Sequence, residues 1–164
     1  SMIGKISELR GKHVALGLPG SGMRESARTV LGHFGIRETD VLDPDHYFAE
    51  LRTDESLAAA VATTGLLNHD LQLLMDTRQF DILPIADAEA LSMYHPYFIP
   101  QTIPAGTFEG FPPVPETPVA SVATTAVLAG RQTVSDRLVK LALAALYERD
   151  LRDSVPTLIF RSSS

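Results

Sequence analysis

The sequence of 164 residues contains no cysteine. Disulfides, cysteine-ligated zinc and thiol nucleophiles are therefore excluded. Basic residues are sparse, 14 Lys and Arg against 20 Asp and Glu, for a formal net charge of −6. They form no cluster of the kind that gives a nucleic-acid binder its basic stripe, so nucleic acid is not an expected partner. No uninterrupted apolar run reaches the roughly 18 residues of a membrane-spanning helix. The five histidines, His13, His33, His46, His69 and His95, follow neither an H-x-x-x-H nor an H-E-x-x-H pattern. They offer no convergent ligand set, and no metal or other cofactor is expected. No signal peptide is visible. Ser1-Met2 reads as a tag-cleavage remnant ahead of an internal start, so a leader, an anchor or a preceding domain is expected to have been removed.

What remains is ordinary globular material. Hydrophobic residues make up 45% and charged residues 21%, and the length suits one domain with an ordered core. After the lead-in over 1–8, Lys12 to Gly17 reads as a strand, Leu18-Pro19-Gly20-Ser21-Gly22 as a tight loop, and Arg24 to Phe34 as a helix. Ala27, Val30, Leu31 and Phe34 supply the helical spacing and Gly35 the C-cap. Val41-Leu42 is a candidate short strand. Asp43 is placed to cap a helix beginning near Pro44. Asp54 to Ala60 has helical spacing, and Ala59 to Thr64 could form a buried strand. Asn68 or Asp70 opens another helix with Leu71, Leu74 and Met75 inward. Phe80 to Ile85 reads as a strand and Asp87 to Tyr94 as a short helix.

Between His95 and Pro118 the character changes. Seven prolines, at 96, 100, 104, 112, 113, 115 and 118, predict an extended and irregular run. Its aromatics, Tyr97, Phe98, Phe108 and Phe111, imply that it packs against something. Val119 to Leu128 reads as a strand. Ser135 or Asp136 caps a last amphipathic helix to Tyr147, with Leu138, Val139, Leu141, Ala142 and Leu146 apolar. The tail 149–164 reads as a linker. There is no internal repeat. Strands alternating with helices predict an α/β layered domain with a mainly parallel sheet, whose ligands sit at the carboxyl ends of strands.

Gly17 to Met23 lies at such an end. Glycines allow a tight turn and close approach of a ligand. The following helix offers unpaired N–H groups and a partial positive charge, and Ser21 adds a hydroxyl. This suits a carboxylate or another small anion. Neither a P-loop nor a dinucleotide fingerprint is present, and Pro19-Gly20-Ser21-Gly22-Met23 is not a nucleophile elbow. Taken alone, the loop is served as well by a plain turn capped by Ser21. Thr63 to Asn68 is a second polar strand-to-helix loop, open to the same two readings. Tyr94-His95-Pro96-Tyr97-Phe98 suits either an aromatic wall or an anchor for the proline-rich crossing.

In order along the chain, four stretches carry a resemblance. Gly11 to Met23 is close to "GK-hydrophobic-G-x-PGSGT". Ala59 to Leu74 with Phe80 to Ile85 is like "DAA…G-x-P…L" and its following strand. Tyr94 to Phe98 with Ile103-Pro104-Ala105-Gly106-Thr107-Phe108-Glu109-Gly110 is like "YPFY…IPAGTYPGQ". Val119 to Leu128 and the last helix are like "TVAVPALLV" and its helix. Over roughly residues 9–148 the chain resembles the TAXI family of TRAP-transporter solute receptors, which overlap the NMT1-like periplasmic binding proteins. Met23 stands where that family usually has Thr, and Asn68-His69 replaces the commoner Asn/Asp-Pro.

The resemblance implies a three-layer αβα lobe of a type II periplasmic binding protein. Residues 9–93 form the lobe, 94–118 a proline-rich crossover, and 119–148 a strand and C-terminal helix. It implies a non-catalytic receptor, periplasmic or extracytoplasmic, that captures a small organic anion or amino acid and hands it to membrane permease subunits. Ser21, Gly22 and Met23, with Thr64, Gly65, Asn68 and Tyr97, are the expected ligand contacts. Most of the first lobe is expected to lie outside this sequence, and a homodimer through the exposed inter-lobe surface is a further expectation. Two rivals stand beside it. One is a membrane-anchored sensor or scaffold with a degenerate binding-protein fold. The other is an α/β transferase, which would require a general base near Ser21.

Overall fold

The computed structural model describes residues 3–125, 127 and 129–147. The expected remnant at Ser1-Met2, the tail over 149–164 and parts of the last predicted strand (126 and 128) lie outside them. β1 (Val14–Ala15) is the centre of a small parallel arrangement. It pairs with β2 (Ala59–Ala60) in the register Val14↔Ala59 and Ala15↔Ala60. On its other side His13 bridges Leu42 in parallel, and the contact continues as Leu16 N–H donates to Pro44 O at 3.0 Å and Gly17 N–H to His46 O at 2.9 Å. Val14, Ala15 and Leu16 are wholly buried, as an unbroken apolar run in a strand flanked on both sides should be.

α1 (Gly22–His33) forms as its spacing predicts. Ser21 accepts the Arg24 backbone N–H, and Ala27, Val30 and Leu31 are buried on one face. Gly35, at φ 71°, donates to Gly32 O, and Ile36 donates to Leu31 O. These are the two bonds of a Schellman stop. α2 (His69–Asp76) starts at Asn68, whose side chain accepts from Leu71 N, and buries Leu74 and Met75. α3 (Ala88–Tyr94) buries Ala88 and Leu91.

Several expectations fail for identifiable reasons. No helix begins at Pro44. The carbonyls of Pro44 and His46 are held by the N–H groups of Leu16 and Gly17, and the helical turn is a 3-10 segment, Phe48–Arg52. Asp43 does not cap it: at φ 48° its carboxylate lies 2.6 Å from His13 Nδ1. The helical pattern over 54–60 gives way to an Asx turn, Asp54 accepting from Ser56 N, followed by β2. Phe80 to Ile85 forms no strand. Pro84 has no N–H to give, and Ile85 makes a backbone bond to Ala120 O.

The proline-rich stretch is extended and in part irregular, as expected, but it also carries three short strands. β3 (Phe98–Ile103) pairs antiparallel with β6 (Val119–Thr124), from Phe98↔Thr124 to Ile103↔Val119. β4 (Glu109–Gly110) and β5 (Pro113–Val114) form a short ladder between them. Pro100 is tolerated because β3 is an edge strand. The class is thus mixed α/β, built from small parallel and antiparallel pairs, with the longest ladder antiparallel. One core gathers Ile6, Leu9, Val14, Leu16, Val30, Leu31, Ile36 and Leu91; a second joins Ala15, Phe48, Leu51, Leu57 and Leu74. α4 (Asp136–Tyr147) packs extensively on no other described element, and its Leu138, Val139, Leu141 and Leu143 are exposed.

Candidate functional site

Two loops leave the same end of the parallel pair. The first follows β1. Gly17 has φ 98° and Gly20 φ 78°, values L side chains rarely adopt. At Gly17 space matters too: a Cβ there would sit 3.1 Å from Ser21 Oγ and 3.2 Å from Met23 Cβ. The loop is therefore folded back on the start of α1. Ser21 Oγ accepts from Arg24 N at 3.2 Å, which leaves its own O–H free to donate. Gly22 and Met23 occupy the first helical turn, where N–H groups have no intrahelical acceptor. The Met23 side chain turns inward against the second core, so only its backbone serves the loop.

The second loop follows β2, where Val61 N–H donates to Ala15 O at 2.8 Å. Thr64 is exposed and Gly65 half-buried. Asn68 Oδ1 accepts from Leu71 N at 3.1 Å, leaving its NH₂ as a donor. Because β1 and β2 are parallel neighbours, the fold brings Ser21, Gly22 and Met23 to the same edge as Thr64, Gly65 and Asn68. Tyr97 is not brought there. Its hydroxyl donates to Thr29 Oγ1 at 3.0 Å, and its ring packs on Phe98 with centroids 4.6 Å apart. Thr29 lies eight residues beyond Ser21, about 12 Å along the helix. Tyr97 thus borders an open groove on the flank of α1, lined by Arg28, Thr29, His33, Tyr94 and His95.

A third segment reaches the strand ends, and sequence reasoning missed it. Residues 43–47 run beside Gly17, and Arg24 fastens them. Arg24 is the buried charged side chain of the described core. Its Nη1 donates to Gly17 O at 2.7 Å, Pro44 O at 3.1 Å and Asp45 Oδ1 at 2.6 Å, and its Nη2 donates to Glu38. Glu38 also accepts from Arg28 Nε. Hydrogen bonds from Arg24 and then Arg28 hold the Glu38 carboxyl below the usual range. The signal available in the sequence was a cation in the first turn of a helix, where the dipole disfavours it. Its partners, 14 and 21 residues away, had no local pattern.

Acidic groups flank the same edge. His46 Nδ1 lies 2.7 Å from Glu50, raising the imidazole and lowering the carboxyl. Burial pushes the Tyr47 phenol up, and its O–H donates to Asp70 at 3.3 Å. The arrangement supplies hydrogen-bond donors from two loops within a negatively charged rim. Among the described residues, no group of three or more His, Cys, Asp or Glu side chains is placed to hold a metal ion.

A family model described as NMT1-like matches residues 1–155, nearly the whole chain. Members of that family are non-catalytic, and so is this chain; its function is of the solute-binding-protein kind, and the family points to transport-system components. The family also makes it an extracytoplasmic, periplasmic-type domain. No helix among the described residues is long and apolar enough to cross a membrane. On that match over residues 1–155, the chain belongs to the NMT1-like family of binding proteins.

Proposed function

We propose that the chain is the solute-binding lobe of a TRAP-type receptor of the TAXI kind, taking a small organic solute through a carboxylate. One observation carries this reading: two polar strand-to-helix loops, Gly17–Met23 and Thr64–Asn68, leave one end of paired parallel strands. The Ser21 O–H, the Gly22 and Met23 N–H groups and the Asn68 NH₂ are the donors for an anionic group. Residues 9–93 act as the lobe and 94–118 as the crossover. The parallel pair β1–β2 is read as part of a mainly parallel sheet in a three-layer αβα lobe, the antiparallel β3–β6 ladder belonging to the crossover and the segment after it. The first lobe supplies the other half of the cleft, so affinity comes from enclosure between lobes and handover to a permease follows opening.

Half a cleft should bind weakly. Calorimetry of the chain against small mono- and dicarboxylates and amino acids is expected to give millimolar rather than micromolar affinity. Ser21→Gly, which keeps a tolerated cap while deleting the hydroxyl, should weaken binding further. Micromolar affinity in the chain alone, or binding indifferent to Ser21, overturns the half-site reading. A second reading, a sensor or scaffold domain anchored to a membrane, is favoured by the exposed apolar residues of α4, a face suited to a protein partner.

A further inference from the structure

The two carboxylates on Arg24 are not equivalent. Glu38 bridges Arg24 and Arg28 through both of its oxygens, and its side chain is only 21% exposed. Asp45 touches Arg24 through Oδ1 alone, and its side chain is 63% exposed. Arg24 itself is almost wholly buried, so Asp45 is the more exposed of its two carboxylate partners and the one on Nη1. The same Nη1 donates to the carbonyl of Gly17, at the root of the loop carrying Ser21 and Gly22.

We propose that Asp45 is a built-in, displaceable occupant of the solute site: a solute carboxylate binds by replacing the Asp45 carboxylate on Arg24 Nη1. The inference rests on the solute-binding reading above and adds a gate to it. The exchange is close to neutral in its electrostatics, because one carboxylate leaves the buried guanidinium as another arrives. Arg24 is never left with an uncompensated charge, the costly case for a buried ion. The exchange also leaves the scaffold standing. Glu38 keeps its two arginines, and the 43–47 segment stays tied to β1 through Leu16 N to Pro44 O and Gly17 N to His46 O. Only the Asp45 side chain swings out, into solvent that it already faces. Asp45 therefore sets a threshold. A solute that offers a carboxylate and nothing more competes poorly against a tethered one. A solute that also engages Ser21, Gly22 or Asn68 can win.

The test uses acetate, the minimal carboxylate, titrated into the ¹⁵N-labelled chain at constant ionic strength against chloride and followed by amide shifts. Wild-type affinity is reduced by the fraction of molecules in which Asp45 holds Nη1, so Asp45→Asn should raise it by about tenfold and Asp45→Ala by at least as much. The shifts should centre on residues 16–24 and 43–46 and leave the β3–β6 amides unmoved. Arg24→Lys in the Asp45→Asn background should abolish the gain. Unchanged or weaker acetate binding in both Asp45 variants overturns the proposal, as does a gain that survives Arg24→Lys. A purely structural salt bridge predicts lower stability with no gain in affinity. Failure of the solute-binding reading looks different: acetate then still gains at Arg24 when Asp45 is replaced, while Ser21→Gly affects no solute. If solutes bind through Ser21 with Asp45→Asn silent, the receptor reading stands and the gate falls.

Discussion

The edge around β1 and the C-terminal helix both carry apolar residues in sequence and are opposite in fate. At β1, Val14, Ala15, Leu16 and the nearby Phe48 reach zero exposure, enclosed by α1, the 43–46 segment and β2. In α4, Leu138, Val139, Leu141 and Leu143 are 42–57% exposed, and Leu146 is half-buried. A twelve-residue helix has little stability in water by itself, since helices shorter than about 12–15 residues are marginal and rely on tertiary packing. The difference teaches that an amphipathic pattern specifies which face of an element wants cover, whereas the cover itself is a property of the assembled chain.

The sharpest way to break this comparison is truncation in both regions. Phe48→Ala should lower unfolding stability by about 3–5 kcal/mol, because it removes a fully enclosed ring and leaves a cavity. Leu141→Ala should change it by less than about 0.5 kcal/mol. Urea unfolding of both variants decides the matter, and equal losses would mean that α4 is packed as tightly as β1. Within the β1 edge, the loop glycines form a finer contrast. Gly17→Ala combines a positive φ with Cβ contacts of 3.1–3.2 Å and should cost about 3 kcal/mol. Gly20→Ala has a positive φ but open space and should cost about 1 kcal/mol. The two melting temperatures should separate in that order. Next comes the cap of the second loop. Asn68→Ala should cost about 1 kcal/mol, with faster hydrogen exchange in the first turn of α2 and no change in β3–β6.

The smallest effect is electrostatic. The His46–Glu50 contact raises the histidine above its ordinary value of about 6.5 and lowers the glutamate below its ordinary value of about 4.3. The raised histidine contributes stability that is fully present below about pH 6.5 and disappears as pH climbs through its folded value. The lowered glutamate contributes above about pH 4.3 and stops contributing as pH falls through its folded value. Their joint contribution is therefore greatest between those limits. A pH titration of His46 followed by NMR should show the upward shift and its loss in Glu50→Gln. Both side chains are partly exposed, so the accompanying change in melting temperature should be slight.

Much of the β1 edge was legible in the sequence. Gly35 ends α1, Ser21 and Asn68 cap where they should, and the two loops could be placed at strand ends. Those features rest on local chemistry: a side-chain oxygen reaching an N–H three residues on, or a glycine at positive φ. The misreadings at Pro44, 54–60 and 80–85 have the opposite origin. There, helical or strand spacing was outweighed by backbone bonds to distant residues, such as Gly17 N to His46 O and Ile85 N to Ala120 O. The place of Tyr97 was not legible for the same reason, because it depends on Thr29, 68 residues earlier.

The sequence by itself determined the absence of thiol chemistry, the acidic balance, the caps of α1 and α2 and the two polar loops, together with a resemblance that the family match supports at the level of an NMT1-like binding protein. Only the tertiary structure decided that Arg24 is buried, that it ties Gly17 to Asp45 and Glu38, that Met23 points inward and that Tyr97 stands away from the loops. The physical reason is range. Caps and turns are settled within a few residues, whereas a buried charge finds its partners wherever folding brings carboxylates and carbonyls close enough to offset its desolvation.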